Sequence, residues 1–307
     1  MRRPFRFAVS ANRPRPKAEW TAFARAVEAA GFDTLLISDH FGPRMSAAPA
    51  LVLAADATDR LRVGSFVYDN DFRHPGLLAQ EAATLDLLTD GRFDFGIGAG
   101  WLRSEYDAAG LTFDSGGVRV ERLGESIQVI KSLMTGSPVS FAGKYYRVKE
   151  MTAGFKTIQQ PHPPFVIGGG GPRLLALAAR EADIVSIMPR SKRDGAGLED
   201  ADASAESFDG KVDLVRQAAG DRFDRLELNT LVQEVVVTDA PRDAAERLAP
   251  EWQMSADQLL QSPLVLIGSA GQLAELLISR RQRFGLSYIS IFERHMAGFA
   301  AVMDRLR

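Results

Sequence analysis

The chain has 307 residues, with 37 Lys and Arg against 39 Asp and Glu, a balance that provides no basic field to attract nucleic acid or an anionic membrane. A content of 46% hydrophobic and 25% charged residues excludes disordered and fibrous classes. Cysteine is absent, which removes disulfide staples, thiol nucleophiles and thiolate-held metals at once. No apolar run reaches the roughly 18 residues of a membrane span. The stretch 5–9 after Arg2 and Arg3 is too short, and too interrupted by Arg6, for a signal peptide. The expectation is a cytoplasmic protein whose partner is a small molecule.

In chain order, residues 5–10 read as a first strand. A helix follows with Trp20, Phe23, Ala24 and Val27 on one face before Gly31 ends it, and then a short apolar strand at 34–38. Residues 49–58 predict a second helix and 61–68 a third strand. Leu78, Ala82 and Leu85 mark a third helix, closed by Asp90 and Gly91 where a left-handed C-cap belongs. Residues 93–98 give a fourth strand, and Val120, Leu123, Ile127, Ile130 and Met134 lie along one stripe of a long fourth helix.

The segment 136–164 breaks this rhythm, and within it 138–141 and 145–148 flank Ala-Gly-Lys as a small hairpin inserted outside the main fold. Alternation resumes with a strand at 164–167, a helix at 172–180 and a strand at 183–188. A second insertion, polar and charged, covers 189–203 and reads as a mobile loop. A helix at 207–219, a strand at 226–237, a broken helix at 244–260, a helix at 271–284 and a strand at 288–292 complete the chain. Strand and helix alternating about eight times predict parallel pairing and a single (β/α)8 TIM barrel over residues 1–307. An open doubly wound sheet is the alternative.

Active sites of such barrels occupy the C-terminal ends of the strands. Strand two ends in Ser38, Asp39 and His40. His40 is one of four histidines; His74 and His162 each precede a proline and His295 lies near the C-terminus, so no metal-ligand set surrounds it. It is either a hydrogen-bonded structural histidine or a proton donor and acceptor near neutral pH. Asp39 points to the opposite face and is expected to orient neighbouring backbone. Strand five ends in Gly168, Gly169, Gly170 and Gly171, followed by Pro172, Arg173 and an apolar helix. Glycine lets amides approach an anion and the helix N-terminus adds partial positive charge, so this is a phosphate cradle in form, with a plain tight turn as the alternative.

These residues carry a resemblance. SDHFGP at 38–43, RLRVGSFVYDNDFRHPGLLAQEAATLDLLTDGRFDFGIGAGW at 60–101 and PPFVIGGGGPRLLALAAREADIV at 163–185 are similar to segments of the luciferase-like monooxygenase superfamily, in particular its branch that uses the deazaflavin coenzyme F420. The resemblance implies a tricyclic ring laid across the strand ends. It places the ribityl phosphate on amides of Gly98, Ala99 and Gly100 and of the glycine run. A non-prolyl cis peptide under the ring is implied at Ser65–Phe66, and Asp39, Ser65 and Phe66 are counted among the cofactor contacts.

Against the sugar-phosphate dehydrogenases of that branch, His40 is kept, Arg44 stands where they carry a tryptophan, and Trp101 where they carry a glutamate. Glucose 6-phosphate is therefore not the expected substrate. Phe41, Trp101 and Tyr106 are expected to floor a pocket for a flat or apolar substrate, with packing at the barrel mouth as their alternative role, and Arg44 to meet an anionic or carbonyl group. Arg190 or Lys192 is expected to meet the carboxylates of the coenzyme's lactyl-glutamate tail. The implied activity is hydride transfer between F420 and an organic substrate, with His40 as general acid or base and a homodimer as the assembly. The alternatives are an FMN-dependent two-component monooxygenase and a non-catalytic flavin-binding barrel.

Overall fold

A computed structural model describes residues 3–306; Arg2 of the N-terminal basic pair lies outside the described residues. Eight parallel strands close into a barrel: one at Arg6–Ser10, two at Thr34–Ile37, three at Arg62–Ser65, four at Phe93–Gly98, five at Phe165–Gly169, six at Ile184–Ile187, seven at Glu227–Val232 and eight at Leu286–Phe292. Each pairs with its neighbour in sequence, and strand one closes the ring on strand eight through Arg6 opposite Tyr288 and Val9 opposite Ile291. Helices follow the strands and cover the outside, which is the (β/α)8 architecture.

Alternation along the strands sorts the side chains. Ala8, Leu36, Val166, Ile184 and Tyr288 fill the lumen with Phe66 packed against them. Phe7, Val9, Leu35 and Ile37 point outward into the larger core shared with the helices. Helix Lys17–Ala29 buries Trp20, Ala24 and Val27, and Trp20 Nε1 donates to the Ala50 carbonyl at 2.9 Å. Helix Pro75–Leu88 buries Leu78, Ala82 and Leu85, and its exit uses Gly91 at φ +73°. Leu123, Ile127, Ile130 and Met134 are buried along helix Gly116–Met134. Strands three and four approach so closely that a Cβ on Gly96 would stand 2.0 Å from the Ser65 carbonyl oxygen.

The N-terminal end of the barrel is closed by charge. Asp94, fully buried, pairs with Arg6 and with Arg62 at 2.6 Å, and Arg6 also reaches Glu227 at 3.1 Å. Burial opposes ionisation of Asp94, but Arg6 and Arg62 outweigh it and hold the carboxyl below its ordinary range. A cavity of about 570 Å³ lies at this end, lined by Arg6, Arg62 and Glu227 among others.

Two segments leave the barrel. The hairpin Val139–Ala142 and Arg147–Met151 is antiparallel, and its turn is held by Glu125, which accepts from the amides of Lys144, Tyr145 and Tyr146. The expected single strand at 226–237 is instead two: after Val232 the chain leaves the barrel, and Glu234–Val237 pairs in parallel with Val265–Gly268, a strand that periodicity did not reveal. The loop after strand six also has structure of its own. Ser191 bridges to Leu198, and a short 3₁₀ turn spans Asp200–Ala203.

Candidate functional site

A cavity of about 730 Å³ opens at the C-terminal ends of the strands. Ser38, Asp39 and His40 reach it from strand two, Phe66, Val67 and Asp69 from strand three, and Gly98, Ala99, Gly100 and Trp101 from strand four. Gly168, Gly169, Gly170 and Gly171 line it after strand five and Arg190 after strand six, and Phe292 closes the circuit from strand eight.

His40 is held by a residue that sequence reasoning missed. Its Nδ1 lies 3.0 and 2.9 Å from the two carboxylate oxygens of Glu105. Glu105 stands in the first turn of a short helix, Arg103–Ala109, that ends at Gly110 with φ +69°. The signal available was an acidic residue early in a short element just after the strand-four glycines. A carboxylate on Nδ1 fixes the ring's orientation and presents Nε2 as the exchangeable position. Trp101 meets the His40 ring edge to face, centroids 6.0 Å apart at 87°.

Asp39 does not touch His40 in this arrangement. Its carboxylate takes Arg73 at 2.5 and 3.0 Å and accepts from the Asp69 amide at 3.2 Å, orienting the backbone at the end of strand three. Asp69 is buried, and both its oxygens lie 3.1 Å from the Tyr106 hydroxyl, which is also 3.0 Å from Asp71. Burial, reinforced by Asp71 and Asp39 and opposed by the Asp71 amide and Tyr106, pushes the Asp69 carboxyl up to about 7.

Several expectations need correction. The cis bond joins Phe66 to Val67, one residue beyond Ser65–Phe66. Ser65 is held in regular strand opposite Ile37, and its hydroxyl exchanges hydrogen bonds with the amide and carbonyl of Gly96; it is fully buried and stands outside the cavity lining. Tyr106 is no pocket floor. One position on from Glu105, about 100° around the helix, it turns away from the lining, fully buried behind Gly100, where a Cβ would lie 1.9 Å from its hydroxyl. Phe41 is 48% exposed and packs on Phe72 with centroids 4.4 Å apart, also outside the lining. Trp101 and Arg44 do line the cavity.

The tail contacts expected of Arg190 and Lys192 are already spent within their own loop. Arg190 pairs with Glu199 at 3.2 Å and Asp202 at 3.4 Å, and Lys192 stands 4.0 Å from Asp200. The acidic half of the loop folds back on its basic half. The guanidiniums of Arg44, Arg173 and Arg193, which also line the cavity, are in no ion pair among the described residues.

The four glycines serve different purposes. A Cβ on Gly170 would strike the Met188 carbonyl at 2.3 Å and the Arg190 amide at 2.5 Å, so this glycine lets the strand-six loop close in. Gly171 has open space and forms the N-cap of helix Pro172–Glu181. The start of this helix, Gly171 to Leu174, lines the cavity and brings the partial positive charge of a helix N-terminus to it, although Pro172 has no N–H to donate. A buried cation joins this helix start. Arg119 donates through Nε to the Ala99 carbonyl at 3.2 Å and through Nη1 to the Asp114 carbonyl, and lies 4.0 Å over the Phe113 ring. Burial lowers its pKa, and among the described residues it has no carboxylate in an ion pair. The Ser38 hydroxyl, also buried in the lining, has no hydrogen-bond partner among the described residues.

Residues 3–275 match the sequence model of the luciferase-like monooxygenase family. The chain belongs to that family. It is 34% identical over 189 residues to an F420-dependent glucose-6-phosphate dehydrogenase of Microbacterium testaceum, an alignment covering 59% of this chain and 55% of the relative. It is 32% identical to the F420-dependent hydroxymycolic acid dehydrogenase of Mycobacterium tuberculosis over 82% of this chain and 67% of that one. The fold superposes on the F420-dependent tetrahydromethanopterin reductase of Methanopyrus kandleri with a TM-score of 0.79 at 18% identity, covering 99% of this chain and 100% of the other. Among the described residues, no helix of this family member is long and apolar enough to cross a membrane.

Proposed function

We propose that this protein is an F420-dependent oxidoreductase that moves hydride between the deazaflavin and an organic carbon of a small-molecule substrate. The observation that carries the reading is one cavity bringing together, at the strand ends, an oriented His40–Glu105 pair and an anion site of helix-start amides and Arg119. F420-dependent names recur among the relatives.

The cavity fits the coenzyme on three counts. Its apolar wall includes Phe66, Val67 and Trp101, suited to a flat ring. The amides of Arg173 and Leu174 at the helix start, with those of Gly98, Ala99 and Gly100, suit the ribityl phosphate, and Arg119 supplies a buried positive charge nearby. Arg173 and Arg193, free of ion pairs among the described residues, take the role first expected of Arg190 and Lys192 toward the tail carboxylates.

The bound deazaflavin supplies or accepts the hydride; the chain supplies everything else. Phe66 and Val67 support the ring, and Asp39 fixes the strand-three backbone through Arg73 and the Asp69 amide. His40 exchanges a proton with the substrate at Nε2, while Glu105 holds Nδ1 and fixes the ring's orientation. Trp101 and Arg44 bound the substrate space, which favours a flat or apolar substrate with one anionic or carbonyl group over a sugar phosphate. The protein acts as a single cytoplasmic barrel domain and as a homodimer. Leu77 and Leu88, 62% and 55% exposed and three turns apart on one helix face, support the dimer.

Titrating F420 and FMN separately into apo protein, followed by tryptophan fluorescence, tests the assignment. Tighter F420 binding, with no oxygen consumption by the reduced coenzyme, is expected. Submicromolar FMN binding with negligible F420 binding would overturn it in favour of a flavin-dependent monooxygenase.

A further inference from the structure

The strongest feature left unused by this reading is the carboxyl of Asp69. Its neighbours have all found cations: Asp39 takes both arms of Arg73, and Asp71 takes Arg122 at 2.8 and 2.7 Å. Asp69 takes none. The third arginine nearby, Arg119, is turned to the carbonyls of Ala99 and Asp114. Among the described residues, the donors to Asp69 are the Asp71 amide at 2.9 Å and the single hydroxyl proton of Tyr106, which it shares with Asp71.

One phenol proton cannot satisfy two carboxylates, and a second proton on the chain from Asp69 through Tyr106 to Asp71 resolves the deficit. Asp71 already has Arg122 as a two-armed cationic partner and Asp69 has none among the described residues, which places that proton on Asp69. Asp69 is 7% exposed and forms part of the cavity wall. Ser38, adjacent to the Asp39 that accepts from the Asp69 amide, lines the same cavity, and its buried hydroxyl has no hydrogen-bond partner among the described residues.

We propose that Asp69 is a proton-holding residue of the site, which must be neutral for the polyanionic coenzyme to bind and so couples binding to the uptake of one proton from solvent. The inference rests on the F420 reading. A ligand seated in the cavity strips the remaining water from Asp69 and brings its own negative charge, and both raise the cost of the ionised form. A carboxyl that titrates near neutrality in the free protein is the state from which such uptake occurs. The groups facing it are Asp39 and Arg73 from the loops after strands two and three, Asp71 beside it, Tyr106 from the short helix, and Arg119 and Arg122 from helix Gly116–Met134. His40 and Glu105 line the same cavity, and Asp69→Asn leaves both in place as an internal reference.

Two measurements test this on the whole protein. Infrared difference spectra of wild type against Asp69→Asn, without ligand, should show one protonated carboxyl at pH 6 that disappears with a midpoint near 7. Tyr106→Phe, which removes a donor to the ionised form, should move that midpoint upward. F420 affinity, read by fluorescence from pH 6 to 9, should weaken above neutrality with a slope approaching tenfold per pH unit, the limit for one proton. In Asp69→Asn the affinity at pH 6 should persist and the fall in affinity above neutrality seen in wild type should flatten. No protonated carboxyl at pH 6, or the same slope in wild type and Asp69→Asn, overturns the inference and leaves the coenzyme assignment standing. Failure of wild type to bind F420 at any pH overturns the coenzyme assignment, and the coupling with it.

Discussion

His40 Nδ1 stands 2.9 Å from Glu105 Oε2, a contact across 65 positions of sequence that joins the end of strand two to the helix after strand four. It determines which nitrogen of the ring is free, and so where a proton can be exchanged.

Replacing His40 by Ala should lower turnover by about 10²-fold or more, the scale of a lost general acid or base, with the fold and coenzyme affinity retained. Glu105→Gln keeps the shape and a hydrogen-bonding group but removes the charge. Its turnover should fall less, about tenfold, with coenzyme affinity unchanged. Single-turnover kinetics beside a binding titration separates the two effects. Unfolding of His40→Ala would return that residue to a structural role.

The glycine run gives a paired test. Gly171 has φ −75° and open space around a Cβ, so Gly171→Ala should leave the melting temperature nearly unchanged and weaken coenzyme binding where the phosphate meets the helix amides. Gly170→Ala would drive a methyl into the backbone of the strand-six loop and should cost about 1–3 kcal/mol. Calorimetry and ligand titration on both variants read the contrast. Equal loss of stability would mean the turn is tight throughout.

At the opposite end of the barrel, Asp94 joins Arg6 and Arg62. Asp94→Ala removes the carboxylate shared by two guanidiniums, leaving Arg6 with Glu227 and Arg62 with no ion-pair partner among the described residues, and should destabilise by about 3–5 kcal/mol in denaturant unfolding. Because the folded pKa is depressed, the Asp94 contribution is present above the unfolded value of about 3.9 and is lost as pH falls through the folded one. The stability gap between wild type and variant should therefore close only in acid. Activity assayed where both are folded should differ little, since the site is at the other end.

The homodimer reading predicts that Leu88→Glu, which places a charge on the exposed face shared with Leu77, yields monomers by sedimentation while wild type sediments as a dimer. A wild-type monomer at micromolar concentration would remove the assembly from the account.

The order of strands and helices was legible in the chain because each element buries a stripe or a face, and burial writes a period of 3.6 or 2 into the residues themselves. Trp20, Ala24 and Val27, or Leu123, Ile127 and Ile130, announce their helices in this way. Strand-end residues such as His40 and Gly171 were legible for a related reason, since closed parallel barrels place their chemistry at one end. The strand Val265–Gly268 was not, because its partner Glu234–Val237 ran on without punctuation from strand seven. Contacts between loops were the other limit. That Glu105 faces His40, that Tyr106 turns away behind Gly100, and that Arg190 and Lys192 are spent on Glu199, Asp202 and Asp200 depend on how helices and loops far apart in sequence are brought together. No local periodicity carries that information, since a side chain's partner is chosen by distance in space and by which charges its own loop has already neutralised.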